Sequence, residues 1–215
     1  MAIYDTPAAA IRKLEEIGVP LEALQRALAN GHAHRIGCTE NHAPFMPGTI
    51  AWGFTLSTLR DELRRISWRK DDPGNFSLII NDKRKIQIVV ESGDAATRLR
   101  HLSPRTRSFK GLYLQAATIR NQIKNDLFPE RLDEDLRRAV TILEYPTWIL
   151  LIYITDEEYR AELSLPEGIE NNHVTGWIDR IFIPDSDDPF DGAHGTLSGD
   201  GDSNPEIDVP VHRKA

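Results

Sequence analysis

The stretch FSLIINDKRKIQIVVE, residues 76–91, decides how the rest of this chain is read. Phe76, Leu78 and Ile80 alternate with Ser77 and Asn81. Ile86, Ile88 and Val90 alternate with Lys85 and Gln87 in the same way. A period of two is the mark of a strand with one face buried. The polar DKR turn, residues 82–84, is short, so the two runs should pair as an antiparallel hairpin. Keeping both apolar sets on one face requires Ile80 opposite Ile86, Leu78 opposite Ile88 and Phe76 opposite Val90. A slip of one residue would turn one set into water.

That register bears on catalysis. Asp82 sits at the turn and Glu91 at the open end. At about 3.3 Å per residue they are roughly 23 Å apart, too far to share a metal. Asp71 and Asp72 enter the hairpin at its open end, where Glu91 and Asp94 leave it. Asp72, Glu91 and Asp94 are therefore the candidate catalytic carboxylates of a metal-dependent phosphodiesterase or nuclease, with exposed turn carboxylates as the simpler explanation.

The chain begins with helical signals. Thr6-Pro7 is an N-cap followed by a proline suited to the first helical position. Ile11, Leu14 and Ile17 follow at helical spacing, and Gly18 stops the run. Pro20 opens a second helix with Leu21, Leu24 and Leu28 on one stripe and Gly31 as its expected stop. Residues 1–31 thus read as a helical hairpin. Its second helix carries only Glu22 and Arg26, which gives no net positive charge to face a DNA backbone.

A loop is expected from Gly31 to Gly48. It holds His32, His34, Cys38 and His42, and imidazole and thiolate are the preferred ligands of zinc. The spacing matches no standard finger. The four residues are nonetheless the candidate metal ligands, and zinc is the one cofactor the sequence offers. The alternative is an ordinary polar loop. Residues 55–66 then form an amphipathic helix, with Leu56, Leu59, Leu63 and Ile66 inward and Trp52 and Trp68 closing the core.

After the hairpin, charge is segregated. From residue 95 to 125 there are seven lysines or arginines and no acid; from 185 to 208 there are eight acids and no lysine or arginine. Arg98, Arg100, Arg105, Arg107 and Lys110 lie in a loop that runs into a helix carrying Leu112, Ala116, Ile119 and Ile123. A basic loop entering a helix start suits phosphate, because free N–H groups and the positive dipole end add to the guanidinium groups. These five residues are the candidate phosphate-binding set. A solvated basic face paired with the protein's own acids is the alternative.

Pro129 is expected to start a further helix with Leu132, Leu136, Ala139 and Leu143 inward. TWILLIYIT, residues 147–155, is the most apolar run and reads as a central strand buried on both faces. Residues 159–165 alternate as a half-exposed partner, and residues 174–183 form a last strand. Glu162 and Arg160 should project from the opposite side to Leu163, as a surface cross-strand pair.

With 215 residues and 40% hydrophobic content, the chain can bury a sizeable core. No apolar run reaches the roughly 20 residues a membrane-spanning helix needs. A secretory signal is absent, and the single Cys38 excludes an internal disulfide framework. The expectation is a cytoplasmic protein that does not engage membranes. The fold expected is α+β: a mainly antiparallel sheet of about five strands, with helices on one side. Residues 1–31 form the helical hairpin, 32–184 the core domain and 185–215 a disordered acidic tail.

Three functions follow. The first is a non-enzymatic accessory or regulatory protein that binds a polyanion, nucleic acid foremost, through residues 98–124. The second is a regulator or inhibitor of another protein, acting through the acidic surface and tail that underlie the net charge of -7. The third is the nuclease. Nothing in the sequence fixes the oligomeric state.

Overall fold

The computed structural model describes residues 1–107, 111–122, 132–171 and 173–186. Residues Met1–Asp185 fold as one compact unit. Among the described residues no helix is long and apolar enough to cross a membrane.

The fold remains α+β, but the sheet is larger than expected and mixed. Its seven strands are β1 (Ala2–Tyr4), β2 (Arg69–Asp71), β3 (Leu78–Asn81), β4 (Ile86–Ser92), β5 (Thr147–Ile154), β6 (Tyr159–Glu170) and β7 (His173–Phe182). Their order is β1-β7-β6-β5-β4-β3-β2. Two neighbouring pairs are parallel, β4 with β5 and β1 with β7. Residues 93–146 separate β4 from β5, ample length for the crossover that a parallel pair demands. This corrects the expectation of a five-stranded, mainly antiparallel sheet.

Five helices complete the unit: α1 (Pro7–Ile17), α2 (Leu21–Ile36), α3 (Met46–Arg64), α4 (Leu112–Gln122) and α5 (Glu134–Ile142). They cover both faces of the sheet rather than one. Ile79, Ile88, Val90, Trp148, Leu150, Ile152 and Leu163 share a core with α1, α2 and α3. Leu78, Ile80, Val89, Ile149, Leu151 and Trp177 share another with α4 and α5. Alternate side chains of β5 therefore enter different cores, so its uniformly apolar composition serves two-sided burial.

The same two-sided cover explains the hairpin. Ile79 pairs with Ile88, Ile80 with Gln87 and Asn81 with Ile86. That is one residue away from the register that a single buried face would impose. No set is lost to water, since both faces are packed. Lys85 takes up the extra turn residue at φ 54°, in the left-handed region.

Local signals explain the helix ends. The Thr6 side chain accepts a hydrogen bond from Ala9 N, and Gly18 closes α1 at φ 75°. Gly31 does not stop α2, which continues to Ile36. Its missing side chain instead permits close contact with α3: a Cβ there would lie 2.1 Å from Thr55 Oγ1 and 2.8 Å from Ala51 O. In turn α3 begins nine residues before the expected 55, so the predicted loop shrinks to residues 37–45. Asp133 caps α5 by accepting from Leu136 N. The expected start at Pro129 lies outside the described residues.

Buried polar groups tie α4 to the sheet. Asn121 donates through Nδ2 to the carbonyls of Thr147 and Pro166, each at 3.0 Å, and accepts from Thr147 N at 2.8 Å. Of the predicted stripe, Ala116 is buried and Ile119 packs against the core, Leu112 is exposed and Ile123 lies outside the described residues; α4 also buries Leu114, Ala117 and Asn121.

Candidate anion-binding cleft

The arginine-rich stretch, residues 93–107, is a strap across the β6–β7 part of the sheet, fastened mainly through its backbone. Thr106 N donates to Val174 O, and Val174 N donates back to Thr106 Oγ1 at 3.1 Å. Trp177 Nε1 donates to Pro104 O at 3.0 Å. Arg160 reaches the carbonyls of Thr97 and Ala95 at 2.9 and 2.8 Å. Arg180 Nη1 reaches Leu102 O at 2.8 Å. A strap without regular ladder bonds thus has its carbonyls satisfied by guanidinium donors from the sheet beneath it.

Glu162 and Arg180 form the centre of this fastening. Their two parallel bonds, Nε to Oε1 at 2.8 Å and Nη2 to Oε2 at 2.6 Å, make a bidentate pair, and both residues are fully buried. Glu162 also accepts from Ser164 Oγ and from the backbone N–H of Arg98. Glu162 was expected at the surface, beside Arg160. The strap covers it, and its partner is Arg180. A lone arginine inside the apolar run WIDRIFI, residues 177–183, was the sequence signal for a buried partner.

Three of the strap's four described candidate arginines are held by the protein's own carboxylates. Arg98 makes a two-pronged pair with Asp185. Arg100 pairs with Asp5, and this hydrogen bond holds the Asp5 carboxyl below its usual range. Arg105 Nε lies 4.0 Å from Asp94 Oδ2. Arg107 differs: it is exposed, and no described carboxylate lies within ion-pair distance of it. Lys110 lies outside the described residues.

Arg107 lines a cleft of about 430 Å³ where the parallel strands β4 and β5 end. Ser92, Gly93 and Asp94 form one wall, and residues 152–155 the other. From the helical side come Arg35 of α2 and Gly48 and Ala51 of α3. The register explains the site: Ser92 lies beside Ile152, and there β4 leaves the sheet while β5 runs on to Ile154 against β6. Crevices beyond the carboxyl ends of parallel strands commonly hold ligands, because turns and helix starts gather there. The first turn of α3 carries no acidic residue, which leaves its positive dipole end uncompensated.

The cleft's lining holds two guanidinium groups, Arg35 and Arg107, and one carboxylate, Asp94, with Asp156 at ion-pair distance from Arg35. Asp94 is partly committed, since Oδ1 accepts from Ala96 N at 3.1 Å. Arg35 Nε lies 2.9 Å from Asp156 Oδ1, yet without the alignment of a hydrogen bond. Arg35 was not singled out from the sequence. Only the continuation of α2 past Gly31 places it here.

The remaining candidates are distributed elsewhere. Asp72 is held by Arg60 Nη2 at 2.6 Å, a hydrogen bond that lowers its pKa. Glu91 pairs with Leu151 in the β4–β5 ladder and has an interaction partner of its own. Asp94 alone of these three lines the cleft. His32 and His34 ride on α2: His32 packs 5.0 Å from the Tyr159 ring and His34 stacks 3.4 Å from Phe54. Cys38 Sγ is 3.8 Å from His34 O, and His42 Nδ1 accepts from Thr39 N. Among the described residues no three His, Cys, Asp or Glu side chains are grouped to hold a metal ion. Comparison of the chain with protein-family models, curated proteins and solved structures returns no match.

Proposed function

We propose that this is a binding protein for a phosphate-bearing ligand, anchored in the cleft at the ends of β4 and β5. The observation that carries the reading is the position of Arg107. It is the strap arginine without an ion-paired carboxylate among the described residues, and it faces the same cavity as Arg35 and the start of α3. A cavity of about 430 Å³ suits a nucleotide-sized group. A free nucleotide and the end of a single-stranded nucleic acid share that chemistry. Arg98, Arg100 and Arg105 already have partners, so the polyanion contact narrows from the whole basic segment to this cleft.

Calorimetric titration of the purified chain with pyrophosphate, a nucleoside diphosphate and a short single-stranded oligonucleotide tests this. At least one probe should bind saturably. Arg107→Ala should weaken that binding about tenfold or more, the range of a charge-assisted hydrogen bond. Arg100→Ala should leave it unchanged. A preference for the oligonucleotide would assign the cleft to a chain end, and a preference for the nucleotide to a free ligand. Absence of binding by all three, or equal affinity in Arg107→Ala, would overturn the assignment.

A further inference from the structure

A second groove lies at the opposite edge of the sheet from β1, between α3 and the edge strand β2. It has a volume of about 280 Å³ and is independent of the cleft just described. Leu56, Trp68 and Ile79 form its floor, and Arg60, Asp61, Arg64, Arg69 and Lys70 stand on its rim. The turn joining α3 to β2 adds Ile66, half exposed. β2 is the last strand in the order and pairs with β3 alone, so its outer backbone groups face away from the sheet.

We infer that this edge receives an extended acidic segment of a partner protein, which adds a strand alongside β2. Strand addition takes its affinity from main-chain bonds and its selectivity from pockets for alternate side chains. β2 supplies the former and the groove the latter. Charge selects the partner. Arg60 is already paired with Asp72 and Arg69 with Asp82 and Glu144, while Arg64 and Lys70 are exposed and have no ion pair among the described residues, which leaves the rim one positive charge over its carboxylate Asp61. Lysine on an edge strand repels a second basic edge, which guards against self-pairing of copies. The same charge attracts a strand carrying glutamate or aspartate. The apolar floor and Ile66 favour a peptide with alternating apolar side chains over a nucleic acid, which would leave that surface unmatched.

The test uses the full chain and a peptide of about 8 residues alternating glutamate and valine, within the usual length of a strand. Saturable binding is expected, with amide exchange in β2 slowed in the complex. The reversal Arg64→Glu/Lys70→Glu, at two exposed positions, should lower affinity roughly tenfold or more. Arg107→Ala should not affect it, which separates this site from the cleft. Failure to bind, equal binding by the reversed variant, or equal binding of a lysine–valine peptide would overturn the inference. Tighter binding of a single-stranded oligonucleotide at the same amides would also overturn it.

Discussion

Glu162 and Arg180 show how much one buried pair can organise. Neither residue is accessible to water, and together they reach the strap's backbone at Arg98 and Leu102. Removing one partner leaves an uncompensated charge inside the protein, a loss of about 3–5 kcal/mol. Glu162→Leu should therefore destabilise by that order in urea unfolding, and the double change Glu162→Leu/Arg180→Leu by less than the sum of the two single changes. A second prediction concerns Gly31. Any Cβ there meets Thr55 Oγ1, so Gly31→Ala should cost about 1–3 kcal/mol despite alanine's better helix propensity. A third follows from the exposed pairs. Asp72 and Asp82 have lowered pKa values, set first by hydrogen bonds from Arg60 and Arg69. Their stabilising contribution is present above the unfolded value of 3.8 and is lost as pH falls through the lowered folded values. Melting temperature should fall on acidification across that window, and Arg60→Ala should flatten the fall. Both carboxylates are largely exposed, so the effect is small.

The strap, α2 and β5 differ in how plainly their sequences announce them. TWILLIYIT needs no context, because eight successive β residues without a charge fit only a strand covered on both sides. Thr6-Pro7 and Gly18 bracket α1 through their own backbone chemistry. Gly31 misleads for a physical reason: a helix-stopping glycine and a close-packing glycine are the same residue, and only the facing helix tells them apart. β1 and β2 have three residues each, too few to show a period, so nothing local marks them. The hairpin carried its own warning, since Leu78, Ile79 and Ile80 are all buried and three consecutive apolar residues cannot share one face. At this scale the strap should behave as a unit. Arg160→Ala removes the donors to Ala95 and Thr97, so hydrogen exchange should speed up across residues 94–99 more than in β5.

For the molecule as a whole, the sheet's two packed faces direct function to its ends and edges. The basic segment was legible as a charge run, but its partners Asp5 and Asp185 come from distant parts of the chain, and only folding reveals them and turns Asp94 of the strap itself toward Arg105. Among the described residues, Arg107 lines the cleft at the ends of β4 and β5 without an ion-paired carboxylate, with Arg35 on the same cleft. The most direct measurement is an amide-resolved NMR titration of the full chain with pyrophosphate at low salt. Binding in the cleft predicts saturable shifts confined to Gly48, Ala51, Gly93, Asp94, Arg107 and Thr155, and their loss in Arg107→Ala. Shifts centred on Arg98 and Arg100, or none at any concentration, would contradict it.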